Sequence, residues 1–463
     1  MDYQEFIENK KHRTLDVGVD VGEQNSKMFD FQQYVADYAI KKGRCGVFLD
    51  TGLGKTIIEL HIAERYVRVT NKPVLIMTPL AVAFQFIKEA EKFNIDDVEY
   101  SKDGNYKSKI VICNYERLHY FNPNDFDCVI LDESSILKNF DGKIKNHITS
   151  FLKKVKYRYL FTATPSPNDY IELGTSSEAL GYMGYMDMLG KFFKNNQNTV
   201  KGSRVEMANA GHKWYLKSHA EDSFWQWVSS WSISMRKPSD VGFSDKMYDL
   251  PDLNEIYSVI ENKKILAVDG QTCLFNFPAQ SFREIKQEVR NTIEERCNKA
   301  VEKMSASEIG VYWVNLNDES KMINDIDDYA IEIVGSMSIE KKEDILQNFS
   351  QGNIKRLITK ASITSFGLNW QHCNNTTYFP TYSYEQYYQA IRRFYRFGQK
   401  KSVNVNIILS DGQKKVMDSL IVKKNKAEEM YKKLIENTNG IYYNKSKEFN
   451  KKVITPTFLK GGK

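Results

Sequence analysis

Runs rich in apolar residues alternate with helical patterns in two parts of the chain. In the first part the runs lie at residues 45–49, 74–77, 110–112, 128–131 and 159–161, and in the second at residues 309–314, 331–334, 378–379 and 403–409. Runs of this length, bounded by turn residues, are typical of buried strands, and their alternation with helical patterns indicates parallel sheets covered by helices. We therefore predict an α/β fold with two lobes, each built on a parallel sheet.

Changes in pattern divide the chain further. We predict an N-terminal arm at residues 1–28, a first lobe at 29–174, a helical protrusion and connector at 175–307, a second lobe at 308–412 and a lysine-rich helical tail at 413–463. In the protrusion, large apolar residues recur at helical spacing at Phe224, Trp227, Val228, Trp231 and Met235. Because this spacing is that of a buried helix face, a core stripe is favoured over a platform on which single-stranded bases stack.

A phosphate-binding loop is predicted at residues 50–56, between the run at 45–49 and a helical pattern at 57–63. In this context glycine lets backbone N–H groups close on phosphates, and the helix N-terminus adds partial positive charge. Lys55 is predicted to reach the β- and γ-phosphates of ATP, and the Thr56 hydroxyl to bind Mg²⁺. The predicted ATP-binding residues of the loop are Thr51, Gly52, Leu53, Gly54, Lys55 and Thr56.

Two carboxylates follow another apolar strand. Asp132 and Glu133 come directly after residues 128–131, at the carboxyl end of a predicted parallel strand, where ligands bind in open α/β sheets. Asp132 is predicted to hold Mg²⁺, and Glu133 to orient or deprotonate the attacking water. A charged turn after a strand is the alternative for an isolated Asp-Glu pair.

Two arginines lie three residues apart near the end of the second lobe. Arg393 and Arg396 belong to residues 389–399, where one helical face is predicted. Because the guanidinium group is planar, permanently charged and suited to phosphate, the pair is predicted to reach a nucleotide from outside the first lobe and to act in catalysis. A solvated basic helix is the alternative.

An aromatic residue and an amide precede the phosphate loop. Residues 29–32 offer an aromatic side chain and, at Gln32, an amide as candidates to hold adenine. A glutamine at the start of a helix is more often only solvated, so Gln32 is the weaker of these assignments.

Together these motifs resemble those of superfamily-two helicases, and within them the Swi/Snf-type DNA translocases, especially the compact helicase-like proteins of bacteriophages and prophages. The narrower resemblance rests on residues 112–116, 231–237 with 250–251, 357–361 with 366–369, and 389–399. Arg392 departs from the family, which usually has an aspartate at this position.

The resemblance implies two RecA-like lobes, hydrolysis of ATP with Mg²⁺ in the cleft between them, and sequence-independent contacts with DNA phosphates. The residues that it implies in DNA contact are Thr78 and Asn114 in the first lobe and Ser336, Thr359 and Lys360 in the second. The implied activity is a nucleic-acid-dependent ATPase that moves on or remodels DNA, above all duplex DNA. Two alternatives stay open: a strand-separating or branch-migrating helicase, and an ATP-gated module that binds a partner nuclease or replication protein.

Composition and charge narrow the class of protein. The chain of 463 residues is 41% hydrophobic and 27% charged, which is typical of a soluble protein with two or three domains. We expect no membrane association, a monomer, and a cytoplasmic location, which is the host cytoplasm if the protein is viral. The six cysteines are scattered, which indicates reduced thiols rather than a zinc site.

Positive charge is concentrated in the tail. Residues 413–463 contain thirteen lysines, no arginine and five acidic residues, whereas the net charge of the whole chain is +6. Such a segment attracts nucleic-acid phosphates, and a role in solubility alone is the alternative. A loose metal-nuclease pattern at residues 251–252 and 261–263 is short and degenerate, and it is not favoured.

Overall fold

The computed structural model describes residues 16–79, 82–138, 142–195, 214–246, 248–262, 267–268, 271–272, 282–305, 309–364 and 369–446. Most of the predicted N-terminal arm, residues 366–368 of the predicted second-lobe motif, and residues 447–463 of the tail lie outside the described residues.

The described chain folds into α-helices, short 3₁₀ helices and strands. The helices are α1 (Asp30–Lys42), α2 (Lys55–Thr70), α3 (Ala83–Phe93), α4 (Lys143–Leu152), α5 (Leu173–Leu180), α6 (Tyr185–Phe192), α7 (Glu221–Trp231), α8 (Phe282–Asn291), α9 (Ile293–Ser305), α10 (Asn317–Ile326), α11 (Ile339–Ser350), α12 (Ala361–Thr364), α13 (Tyr384–Ile391) and α14 (Lys414–Ser446). The strands are β1 (Arg44–Leu49), β2 (Val74–Thr78), β3 (Val98–Tyr100), β4 (Ile110–Asn114), β5 (Cys128–Leu131), β6 (Tyr157–Thr162), β7 (Phe193–Asn195), β8 (Trp214–Leu216), β9 (Ser232–Met235), β10 (Leu253–Ile260), β11 (Ala267–Val268), β12 (Gln271–Thr272), β13 (Gly310–Trp313), β14 (Ala330–Glu332), β15 (Arg356–Thr359), β16 (Asn375–Tyr378) and β17 (Val403–Ser410).

The first lobe is built on seven parallel strands in the order β3-β4-β2-β5-β6-β1-β9. Strands β2, β4, β5 and β6 are buried along their whole length, because helices cover both faces of the sheet, as parallel sheets require. Since the strands are parallel, their carboxyl ends meet at one edge. The loop that follows β1 and the carboxylates that follow β5 therefore lie on the same side of the lobe.

The second lobe is built on six parallel strands in the order β10-β17-β16-β13-β15-β14. One face packs on a core that includes Trp313, Trp370 and Phe394, and the other packs on Cys297, Ala300 and Met304 of α9 and the residues around them. The predicted α/β fold with two lobes on parallel sheets is confirmed.

The segment predicted to be a helical protrusion and connector contributes to both lobes. Helix α7 and strand β9 belong to the first lobe, where Trp225, Trp231 and Phe224 are fully or almost fully buried in its core. The core interpretation of the tryptophan stripe is confirmed, but Met235 lies on β9 and not on the helix. Strand β10 pairs with β17 along its length, so the second sheet takes in a strand from before residue 308.

The tail helix α14 spans both lobes. Its first turns place Met417 and Leu420 in the core of the second lobe, and its later turns place Met430, Tyr431 and Leu434 in the core of the first. At 33 residues it is about 50 Å long, which is enough to cross both lobes. None of the helices in the described part of the chain is long and apolar enough to cross a membrane.

Candidate active site

A cleft between the lobes brings together most of the residues predicted to act on ATP. It encloses about 830 Å³ of space, part of which is open solvent. Its lining comprises Thr51, Gly52, Gly54, Lys55, Thr56, Ile57, Val82, Gln85, Glu89, Asp132 and Glu133 from the first lobe and Asn369, Gln389, Arg392, Arg393 and Arg396 from the second. Leu53 is buried beneath the loop and does not line the cleft.

The phosphate loop runs from the end of β1 to the start of α2. Gly52 and Gly54 have φ angles of 86° and 81°, which only glycine adopts without strain. These angles turn the chain sharply into the helix, so that Lys55 is its first residue. The Lys55 ammonium group donates a hydrogen bond to the carbonyl oxygen of Leu49 at 3.3 Å, which holds the side chain over its own loop.

The two carboxylates follow the central strand β5. The backbone N–H of Asp132 donates to the carbonyl oxygen of Met77 at 2.8 Å, and the hydroxyl of Thr78 donates to the Asp132 carboxylate at 3.1 Å. Burial and the negative charge of Glu133 raise the pKa of Asp132, although Lys55 opposes the shift. Such a carboxylate favours a nearby cation, because a cation would stabilise its charged form.

Glu133 has an unusual backbone conformation. Its φ angle is 53°, in the left-handed region that costs a residue with a side chain of order 1–3 kcal/mol and is concentrated at functional sites. Its Oε2 atom is buried and has no hydrogen-bond partner among the described residues. The strained turn therefore aims a carboxylate oxygen into the cleft.

The two arginines enter the cleft from the second lobe. They follow the end of α13, and Arg393 is only 6% exposed. Burial lowers the pKa of the Arg393 guanidinium to about 9 and that of Arg396 to about 10, and the charge of Glu133 opposes the shift in both cases. Because desolvation makes these cations costly, a bound phosphate would stabilise both of them.

A further carboxyl group, which the sequence analysis did not single out, is buried close enough to Asp132 and Glu133 to interact with their charges. Glu59 is completely buried on α2, and its pKa is raised well above the usual value by burial and by the charges of Asp132 and Glu133. The sequence feature that could have revealed Glu59 is its position four residues after Lys55, which places both side chains on one helix face. The apolar neighbours of Glu59 in sequence concealed this spacing.

Comparison with known proteins finds helicase families and relatives that this chain resembles. A model described as the res subunit of type III restriction enzymes matches residues 25–167, and a model described as the helicase conserved C-terminal domain matches residues 308–398. The DNA annealing helicase and endonuclease ZRANB3 of Bos taurus is 28% identical over 34% of this chain. The SWI/SNF-related matrix-associated actin-dependent regulator of chromatin subfamily A-like protein 1 of Xenopus tropicalis is 27% identical over 34% of it.

These matches support a superfamily-two helicase of the Swi/Snf type.

The matches have limits that bear on function. They span only 16% of the Bos taurus protein and 17% of the Xenopus tropicalis protein. The Sulfolobus solfataricus SWI2/SNF2 ATPase core, solved in complex with dsDNA, matches 89% of this chain and 97% of its own with a TM-score of 0.41 and 16% identity. The family is one of nucleic-acid-dependent ATPases built on two RecA-like lobes.

Gln32 does not line the cleft. Its Oε1 atom accepts a hydrogen bond from the backbone N–H of Phe29 at 3.0 Å, and its Nε2 atom donates to the carbonyl oxygen of Leu53 at 3.1 Å. The predicted contact with adenine is therefore not supported in this conformation, because both ends of the amide are used inside the protein. The geometry instead makes Gln32 a support for the phosphate loop.

The residues predicted to contact DNA fall into two groups. The side chains of Thr78, Asn114 and Thr359 are completely buried, so in this conformation a DNA backbone cannot reach them. The physical reason is that each ends a parallel strand with neighbours on both sides, and the Thr78 hydroxyl is directed to Asp132. Ser336 is exposed, and the ammonium group of Lys360 donates to Asn317 at 2.7 Å near the surface.

Proposed function

We propose that the chain is a DNA-dependent ATPase that hydrolyses ATP in the cleft between its lobes and uses closure of the cleft to move on DNA. The observation that carries this proposal is the convergence of Lys55, Asp132 and Glu133 from the first lobe with Arg393 and Arg396 from the second. A nucleotide held from both sides links its hydrolysis to the relative position of the lobes.

Mg²⁺ fits the donor atoms of this cleft. The Thr56 hydroxyl and the Asp132 carboxylate line it together, and Mg²⁺ binds such hard oxygen atoms together with substrate phosphates. We propose that Thr56 and Asp132 hold the ion. When bound, Mg²⁺ neutralises charge on the β- and γ-phosphates.

The protein residues would share the chemical step. Glu133 accepts a proton as water attacks the γ-phosphorus, and the bond from this phosphorus to the β–γ bridging oxygen breaks, so that its electron pair leaves with ADP. Lys55 binds the β- and γ-phosphates throughout. Arg393 and Arg396 stabilise the charge on the transferred phosphoryl group, which is the role of arginines that enter a nucleotide site from another lobe.

DNA, and duplex DNA in particular, is the proposed substrate on which the protein moves. The Bos taurus relative carries the name of a DNA annealing helicase, and the Swi/Snf-like segment at residues 231–237 favours duplex over single strands. Ser336 and Lys360, which lie at or near the surface of the second lobe, are the proposed phosphate contacts. Contacts of this kind position a protein without reading sequence.

ATPase activity measured with duplex DNA, single-stranded DNA, RNA and no nucleic acid tests the proposal. We expect stimulation by duplex DNA of any sequence and little activity without it. Stimulation by single strands alone would favour the strand-separating helicase. Equal and high activity in all four conditions would contradict a DNA-driven motor and support an ATP-gated module with a protein partner.

A further inference from the structure

Asp50, the first residue of the phosphate loop, connects the two lobes. Its carboxylate is 5% exposed. It accepts a hydrogen bond from the backbone N–H of Thr51 at 2.6 Å and another from the Arg392 guanidinium at 3.0 Å. The Tyr388 hydroxyl donates to the same carboxylate, and the Arg236 guanidinium lies 3.8 Å away.

Arg392, the second-lobe partner of Asp50, is also held in place by its neighbours. The Arg392 guanidinium lies over the rings of Tyr388 and Tyr395, at 5.1 and 5.3 Å from their centroids. Burial alone would raise the pKa of Asp50, but Arg392 and Tyr388 together hold it below its usual value. A buried charge pair with satisfied hydrogen bonds is strongly coupled, because loss of either partner leaves the other charge uncompensated.

Both residues of the pair lie beside residues of the nucleotide site in sequence, so their contact bears on catalysis. Arg392 is followed by Arg393, and Asp50 begins the phosphate loop. The contact therefore fixes the distance between the loop and the arginine that faces it. The cleft is thus spanned by an acidic residue on the first lobe and a basic one on the second.

We propose that Asp50 and Arg392 form a positioning pair that sets Arg393 over the phosphate loop when the lobes close. The proposal rests on the proposed function, since it concerns the same nucleotide site. Neither residue is expected to touch the reacting atoms. Their loss should therefore lower the rate of the chemical step more than it weakens the binding of ATP, because binding depends on the first-lobe loop.

A double-mutant cycle tests the pair. Asp50→Asn, Arg392→Gln and the double variant are compared with the wild-type protein by kcat and KM for ATP in saturating duplex DNA. We expect each single change to lower kcat on the order of tenfold with KM changed much less, and the double variant to be no slower than the slower single variant, because contacting residues are not additive. Arg392→Lys should retain more activity than Arg392→Gln, since it keeps the charge.

A second ion pair between the lobes provides the control. Lys138 of the first lobe contacts Glu385 of the second, but neither residue adjoins the phosphate loop or Arg393. The cycle of Lys138→Gln and Glu385→Gln should therefore change kcat much less. If both cycles lower kcat equally, the Asp50 pair holds the lobes together in a general way and does not position Arg393.

Two further outcomes separate this proposal from the proposed function. A wild-type protein that does not hydrolyse ATP contradicts the proposed function. An active wild-type protein in which Asp50→Asn and Arg392→Gln act additively, or raise KM without lowering kcat, contradicts the positioning pair alone. Thermal denaturation identifies any variant that fails to fold. In that case the folded Arg392→Lys variant decides: its kcat should fall by less than tenfold with KM unchanged, and a raised KM at wild-type kcat would contradict a positioning contact.

Discussion

Phe397 of the second lobe lies directly against Gly52 of the phosphate loop. A Cβ atom built on Gly52 would lie 2.9 Å from the backbone nitrogen of Phe397 and 3.1 Å from its Cβ atom. The ring of Phe397 also stacks on Tyr248, with 4.7 Å between the centroids, and meets the edge of Phe29. The lobes thus touch at the loop itself, and glycine leaves the space for that contact.

Gly52→Ala should therefore keep the lobes apart. The added methyl group would meet backbone atoms that cannot yield, and alanine is strained at a φ of 86°. We expect kcat for ATP to fall on the order of a hundredfold, since a displacement of about 1 Å can have that effect. Gly352→Ala is the matched control, because Gly352 has a φ of 81° while a Cβ there meets nothing within 4 Å. Wild-type activity of Gly52→Ala would mean that the lobes do not approach this closely during turnover.

Lys55 and Glu133 should fail in different ways. Lys55→Ala removes the cation that binds phosphates, so ATP affinity and turnover should both fall. Glu133→Gln removes only the activation of water, so the protein should bind ATP and hydrolyse almost none of it. Nucleotide titration and single-turnover hydrolysis distinguish the two. Normal turnover in folded Glu133→Gln protein would exclude Glu133 from catalysis.

Gln32→Ala should loosen the phosphate loop without changing the preference of the protein for ATP over GTP. The substitution removes two hydrogen bonds, each worth about 1 kcal/mol, one of which holds the carbonyl group of Leu53. We expect a higher KM for ATP and an unchanged ratio of ATP to GTP hydrolysis. Gln33→Ala is the control: this buried neighbour bonds to Asn25 at 2.9 Å and not to the loop. A selective loss of ATP over GTP hydrolysis would restore Gln32 to adenine recognition.

Local patterns were sufficient to predict the parallel sheets and the placement of Lys55, Asp132 and Glu133. These depend on apolar strands and on the residues that follow them, which lie close together in sequence. Contacts between distant segments were not predictable in the same way. The Asp50–Arg392 contact joins residues 342 positions apart. Strand β9 was concealed because its short Ser-Ile-Ser-Met sequence continues the spacing of the tryptophan helix, although it pairs with β1.

The tail also shows that contacts between distant segments could not be predicted from local patterns. Its lysine content favoured phosphate binding, yet in the described part of α14 Lys424, Lys426 and Lys433 lie 3.3, 3.9 and 3.4 Å from Glu255, Asp169 and Glu221. These carboxylates belong to both lobes, so the helix is part of the folded core as well as a source of charge. If the tail lysines contact phosphates, truncation before Val422 should weaken DNA binding, but it would also remove the core residues Met430, Tyr431 and Leu434.

Single substitutions in α14 test whether its second half packs on the first lobe. Leu434 is completely buried in the first lobe, so Leu434→Ala should lower the free energy of unfolding by about 2–5 kcal/mol. Val422, which is 56% exposed on the same helix, is the control, and Val422→Ala should change it by less than about 0.5 kcal/mol. Chemical denaturation measures both. Equal effects would show that the second half of the helix does not hold the first lobe.

Arg396→Ala, studied by single-turnover hydrolysis and nucleotide titration, tests the account of a cleft shared by two lobes most directly. Because Arg396 belongs to the second lobe, ATP affinity should remain near that of the wild-type protein, while hydrolysis should slow on the order of a thousandfold, as expected for an arginine directed at the transferred phosphate. Arg396→Lys should recover little, since an ammonium group lacks the planar fork. Hydrolysis by Arg396→Ala at nearly the wild-type rate would contradict the two-lobe site and leave residues 389–399 as a basic surface.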